Sequence, residues 1–197
     1  MNIYLGGANA SGKSTIMAEY AKLDPSAEII HGTRLLMDAH GIAGDYEGLR
    51  RMSQERLRPV YSAAMGRLLV EPVEHARILD SHYLYIRKGE VHPSTEDWIG
   101  DFDAVVLVYA DPETSWKRIR ADHKERDRAL FPENLSDPEA KAMYADYIEQ
   151  TIAEFDRIAA EYQLPHLLLD NSHNSPRASA QVLHKFITES EAASQSI

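Results

Sequence analysis

Eight residues near the start of the chain, Gly7-Ala8-Asn9-Ala10-Ser11-Gly12-Lys13-Ser14, match the pattern G-x-x-x-x-G-K-[ST] at every fixed position. The chemistry that this spacing serves is phosphate binding. Backbone N–H groups of such a loop, with the positive end of the helix that follows, form an anion hole for the α- and β-phosphates of ATP. Gly7 and Gly12 let the backbone come close, and Ala10 and Ser11 complete the cradle. Lys13 is expected to set its ammonium against the β- and γ-phosphates, where charge moves during transfer, while the Ser14 hydroxyl coordinates Mg2+ and Thr15 bonds the α-phosphate. A buried strand must lead into the loop and a helix must follow it. Hydrophobic spacing supplies both: Asn2 to Leu5 reads as a strand, and Ile16, Met17, Tyr20 and Leu23 mark one face of a helix that stops near Asp24-Pro25.

A second group of residues suits a second substrate. Arg50, Arg51, Arg56 and Arg58 crowd nine positions, and His31, Thr33 and Arg34 stand just after a short apolar run. A planar guanidinium can hold a pair of phosphate oxygens bidentately, so the cluster suits a phosphorylated substrate, the alternative for any one arginine being a solvated helix face. Lys117, Arg118, Arg120, Lys124, Arg126 and Arg128 form another basic cluster that runs off a helix into a segment poor in apolar residues. That pattern reads as a lid, whose arginines, Arg126 and Arg128 above all, neutralise charge on the transferring phosphoryl and exclude water, although a solvated helix end would carry the same cations. Asp80 closes the run Arg77-Ile78-Leu79-Asp80, where a carboxylate at the carboxyl edge of a sheet would sit beside the phosphate loop, near magnesium or an arginine. His82 follows at once and is a candidate for lining a base pocket. No H-E-x-x-H or G-x-S-x-G spacing occurs, so zinc and serine hydrolase chemistry has no support.

The elements that must position these groups alternate along the chain. Glu28 to His31, Arg77 to Asp80, Ala104 to Tyr109 and His166 to Leu169 read as further strands, and the Val-Val-Leu-Val run within Ala104 to Tyr109 is apolar without alternation, as in strands covered on both faces. Helices are predicted from Gly32-Thr33 to Gly41, over most of Tyr46 to Glu74 with Pro59 as a break or first-turn residue, from Asp111-Pro112-Glu113, from Asp137-Pro138-Glu139 to Pro165, and from Ser175-Pro176 to about Thr188. The expected architecture is α/β: a three-layer P-loop kinase fold with a five-stranded parallel sheet and helices on both faces. One domain spans 1–190, with a mobile acceptor-binding region at about 32–74, a short lid at about 122–136, and a tail at 191–197 that frays.

Composition bounds the rest. At 197 residues with 44% apolar, the chain can bury one sizeable core but not two full-sized domains. A formal charge of -10 argues against nucleic-acid partners, which need clustered cations to displace counterions. Cysteine is absent, which removes disulfides and thiolate metal sites, and no run approaches a membrane span, so a cytoplasmic protein with no membrane partner is expected. Oligomeric state stays open, a homo-oligomer included.

Taken in order, Gly7 to Thr15, His31-Gly32-Thr33, Leu49-Arg50-Arg51-Met52, Asp80-Ser81-His82, Arg87-Lys88-Gly89 and Arg126-Asp127-Arg128 resemble the archaeal-type adenylate kinases over most of the chain. The resemblance implies transfer of the γ-phosphoryl of Mg-ATP to AMP or a related nucleoside monophosphate, with Arg50 on the monophosphate, Asp80 near magnesium, and Arg118, Arg126 and Arg128 acting from the lid segment. The chain departs from that pattern at Glu90-Val91-His92-Pro93-Ser94, and no aspartate follows Arg128. Two other readings stand beside it. A kinase of a hydroxyl acceptor (a nucleoside, sugar or polynucleotide 5′-end) would need Asp80 as a base. A regulatory ATPase switch would need a partner protein and no acceptor at all.

Overall fold

The computed structural model describes residues 1–122, 130–132 and 134–194, without the side chains of Arg50, Gln54 and Asp122. Five strands form one fully parallel sheet: β1 (Asn2–Gly7), β2 (Glu28–His31), β3 (Arg77–Asp80), β6 (Ala104–Tyr109) and β7 (His166–Asp170), in the spatial order β2-β3-β1-β6-β7. The expected three-layer fold is present. Strand residues alternate between two cores, as a period of two requires. Ile3, Leu5, Ile78, Val106 and Val108 pack beneath α1 (Lys13–Leu23) and α7 (Pro176–Ser194), against Ile16, Met17, Leu183 and Ile187. Tyr4, Leu79, Val105 and Leu107 point the other way, onto Met65 of α4 (Gln54–Val70) and Phe155 and Ile158 of α6 (Asp137–Glu161). Each face is covered, which is why the central strands read as unbroken apolar runs.

The chain differs from the expected pattern in three places. α2 (Gly32–Ala39) and α3 (Tyr46–Arg51) precede α4, and the break falls at Met52-Ser53, leaving Pro59 inside α4. Ser53 is extended at ψ 153°, which ends the helical run without any proline. Secondly, an antiparallel hairpin of β4 (Leu84–Arg87) and β5 (Glu90–Pro93) stands outside the sheet, closed by Lys88 and Gly89 at φ 50° and 82°. Two successive residues at positive φ are what a tight hairpin of the usual twist demands. A 3-10 turn, Asp97–Asp101, follows. Thirdly, α7 continues to Ser194 through residues expected to fray.

Helix starts follow their caps. At α5 (Pro112–Asp122), Asp111 Oδ1 accepts from the Thr114 N–H at 2.9 Å, and this bonding holds its carboxyl down at about 2. At α6 the cap is Ser136, one residue before the expected Asp137, with Glu139 reaching back to the Ser136 N–H at 2.9 Å. No described helix is long and apolar enough to cross a membrane.

Candidate phosphoryl-transfer site

The carboxyl ends of β1, β2 and β3 open into a cleft of about 1120 Å³, lined on one wall by Ala8 to Thr15. Where β1 ends, a Cβ on Gly7 would lie 2.8 Å from both Ser11 Oγ and the Val108 carbonyl, so only glycine fits. Ala10 and Gly12 take left-handed backbone at φ 58° and 86°. The carbonyls of the loop are tied away from the cleft. Tyr144 donates to the Asn9 carbonyl, Asn171 Nδ2 to the Ser11 carbonyl at 2.8 Å, and Arg118 Nη1 to the same carbonyl at 3.3 Å. With its oxygens held outward the loop turns its N–H groups inward, which is the polarity an anion needs.

Beside this loop lies a buried ion pair. Lys13, the first residue of α1, donates to Asp80 Oδ1 and to the Ser81 carbonyl, the latter at 2.7 Å. Burial pulls the Lys13 ammonium below its ordinary pKa, and the Asp80 carboxylate beside it pushes the other way. Sheet register brings in a third group: His31 on β2 pairs with Asp80 on β3, and its Nδ1 lies 3.1 Å from Asp80 Oδ2. Asp80 is 8% exposed and Lys13 is 10% exposed, whereas His31 is 56% exposed at the rim. Ser14 and Thr15 are exposed along the same wall.

The cleft is also lined by cations. Arg34, Arg51, Arg58, Arg87 and Lys88 all line the cleft, with Thr33 among them. Arg58 Nε is anchored at 2.8 Å by Glu96, which also accepts from Ser62. Tyr61 bonds Ser81 Oγ at 3.2 Å, and burial pushes its hydroxyl up to about 12, so it stays neutral and serves as a hydrogen-bonding group. Of the arginines expected here, Arg51 and Arg58 face the cleft, Arg56 is exposed outside its lining, and the Arg50 side chain lies outside the described residues.

Two expected residues are held by the framework of the loop, His82 within the cleft's lining and Arg118 outside it. His82 Nδ1 is bonded to the Gly7 carbonyl at 2.8 Å, and Tyr4 donates to the His82 carbonyl, so this histidine braces the end of β1. Arg118 backs the phosphate loop, its Nη2 reaching the Asn171 carbonyl at 3.0 Å. It joins loop to β7 as a strut. Arg126 and Arg128, with most of the expected lid, lie outside the described residues. Sequence reading missed Asn171, Tyr144, Tyr61 and Glu96. Asn171 alone carried a signal, standing just past the carboxyl end of a strand where α/β folds place their working residues.

Whether magnesium fits can be judged from the donors. Among the described residues no group of three or more His, Asp or Glu side chains converges to cage a metal. Mg2+ asks for less, since it keeps several waters and shares phosphate oxygens, needing one or two protein oxygens. The Ser14 hydroxyl and the Asp80 carboxylate on one wall supply these, and the loop supplies the anion seat for its nucleotide.

No protein-family model matches the chain, and no curated protein matches it in sequence. Solved structures do match in fold. Shikimate kinase from Acinetobacter baumannii, in complex with shikimate, aligns over 95% of this chain and 93% of its own with TM-score 0.61 and 17% identity. Shikimate kinase from Bacteroides thetaiotaomicron aligns over 95% and 98% with TM-score 0.61 and 16% identity. The enzyme from Aquifex aeolicus aligns over 98% of each chain with TM-score 0.59 and 15% identity. At such identities the likeness is one of architecture: this chain has the five-stranded P-loop kinase fold.

Proposed function

We propose that the chain is an ATP-dependent kinase that moves the γ-phosphoryl of Mg-ATP to a hydroxyl of a small anionic acceptor. One observation carries this reading: a nearly buried carboxylate, Asp80, faces the cleft while bonded to the phosphate-loop lysine. An acceptor phosphate needs no base and is repelled by a carboxylate at close range; a hydroxyl must lose a proton as it attacks. In the proposed step the acceptor oxygen bonds the γ-phosphorus as the bond to the β-phosphate oxygen breaks. The hydroxyl proton passes to Asp80 and then to solvent, and ADP leaves. Lys13 and the inward loop amides neutralise charge on the transferring group. Bound magnesium would add charge neutralisation at the phosphates, held by Ser14 and, through its water shell, by Asp80. Arg34, Arg51, Arg58 and Arg87 also line the cleft, suited to a carboxylate or phosphate handle on the acceptor.

The fold likeness supports this choice, since the Acinetobacter structure holds shikimate, a carboxylate that carries hydroxyls. The same four arginines also favour a second reading, in which the acceptor is a nucleoside monophosphate, as the archaeal adenylate kinase resemblance implies. The test is a panel of hydroxy acids, sugar phosphates, nucleosides and nucleoside monophosphates with Mg-ATP, run on the wild type and on Asp80→Asn. Turnover of a hydroxy compound that drops at least about a hundredfold in Asp80→Asn supports the hydroxyl reading. Turnover confined to monophosphates transfers the assignment to the second. ATP hydrolysis indifferent to every compound leaves the regulatory switch.

A further inference from the structure

Among the described residues, the carboxylate of Asp80 has two side-chain partners, Lys13 on Oδ1 and His31 on Oδ2. They differ in what nucleotide does to them. The Lys13 ammonium stands at the mouth of the anion seat, so a triphosphate in the loop competes for it and loosens its bond to Asp80. His31 belongs to the edge strand β2, outside the phosphate loop, and its place opposite Asp80 is set by sheet register. We propose that His31 is a positioning residue: its Nδ1–H bond to Oδ2 keeps the Asp80 carboxylate aimed into the cleft once Lys13 has turned to the phosphates. This rests on the reading of Asp80 as the proton acceptor.

The geometry supports a positioning role over a contact with acceptor. The bond is made by Nδ1, the ring nitrogen nearer the backbone, while the rest of the 56%-exposed side chain lies at the rim. Asp80 itself is only 8% exposed, which limits how freely water could replace the lost donor. A carboxylate free to rotate about its side-chain torsions would spend much of its time out of line, and misplacement by about 1 Å costs on the order of a hundredfold in rate.

The amide of an asparagine places Nδ2 at the same number of bonds from the backbone as histidine Nδ1, whereas glutamine reaches toward Nε2. His31→Asn should therefore restore what His31→Leu and His31→Gln lose. The probe is Mg-ATP with water as the acceptor, followed by single-turnover hydrolysis, with Mg-ADP affinity measured by calorimetry. Water removes any role of His31 in binding an organic acceptor. His31→Leu and His31→Gln should hydrolyse about tenfold or more slowly while Mg-ADP binds within about twofold of wild type, and His31→Asn should recover to within about threefold. Unchanged hydrolysis in His31→Leu, or an asparagine variant as slow as leucine, overturns the positioning role. Asp80→Asn runs alongside: full hydrolysis in that variant overturns the proton-acceptor reading and this inference with it, whereas slow Asp80→Asn with normal His31→Leu overturns this inference alone.

Discussion

Gly12 and Asn171 are far apart in sequence, yet each constrains the other. Gly12 holds the phosphate loop at φ 86°, and a Cβ built there would run into Asn171 Nδ2 closer than any real Cβ approaches. Asn171 cannot yield cheaply, because it is buried, donates to the Ser11 carbonyl at 2.8 Å and accepts from Ser179 at 2.9 Å. Gly12→Ala therefore costs roughly 1–2 kcal/mol for left-handed backbone and about 2 kcal/mol for driving Asn171 off its bonds. Asn171→Ala leaves the Ser11 carbonyl and the Ser179 hydroxyl buried without their partner, at about 2–3 kcal/mol. In the double variant no amide remains to collide with, so the total should be about 4 rather than about 6 kcal/mol, a coupling near 2 kcal/mol. Urea unfolding of the four proteins, followed by circular dichroism, measures this directly. Additive penalties, with coupling below about 0.5 kcal/mol, would refute the claim that Asn171 is what forbids a side chain at this loop position.

Other predictions follow from the same contacts. Arg77 is buried and bonds the Leu68 and Glu71 carbonyls and Glu28, so Arg77→Met should cost about 2–3 kcal/mol, whereas Glu28→Gln, half in solvent, should cost under about 1 kcal/mol; equal losses in thermal unfolding would contradict this ranking. The Asp111 carboxyl titrates at about 2, below the ordinary value of 3.8, so its stabilising cap is complete above about pH 4 and lost as pH falls through about 2. Wild type should therefore lose about 1 kcal/mol more than Asp111→Asn between pH 5 and pH 2 in acid titration of stability. Arg118→Lys keeps the charge but cannot bridge the loop carbonyl and the Asn171 carbonyl with two nitrogens, so Mg-ADP affinity should fall about tenfold by calorimetry with unfolding unchanged within about 1 kcal/mol. Nucleotide affinity equal to wild type would show that the strut does not shape the anion seat.

Much of the architecture was legible because burial on both faces leaves a plain trace. The runs through Val105 to Val108 and Ile78 to Leu79 are apolar without alternation, and the glycine loop stands between a strand and a helix that hydrophobic spacing marks separately. The hairpin was not legible as strands. Leu84 to Arg87 is four residues long, its turn uses Lys88 where asparagine would signal a hairpin, and Pro93 sits inside its second strand. Pro59 misled for a related reason: a proline that tertiary contacts accommodate inside α4 looks, in sequence, like a boundary. At the site, Lys13, Ser14 and Asp80 could be placed by motif and strand end, but the pairing of His31 with Asp80 depends on register between β2 and β3, which local pattern does not encode. The resemblance sets Arg118 among the lid arginines, but its bonds to the Ser11 and Asn171 carbonyls depend on tertiary placement that local pattern does not encode.

The central claim is that Lys13 and Asp80 act together to put a phosphoryl group on a hydroxyl. Phosphorus NMR of a turnover mixture, with Mg-ATP and the acceptor panel, reads the destination of that group without assuming it. Growth of a phosphate monoester resonance in step with ADP, absent in Lys13→Ala, is the outcome expected. Phosphorus that emerges solely as inorganic phosphate, or solely in new nucleoside diphosphate, would contradict it.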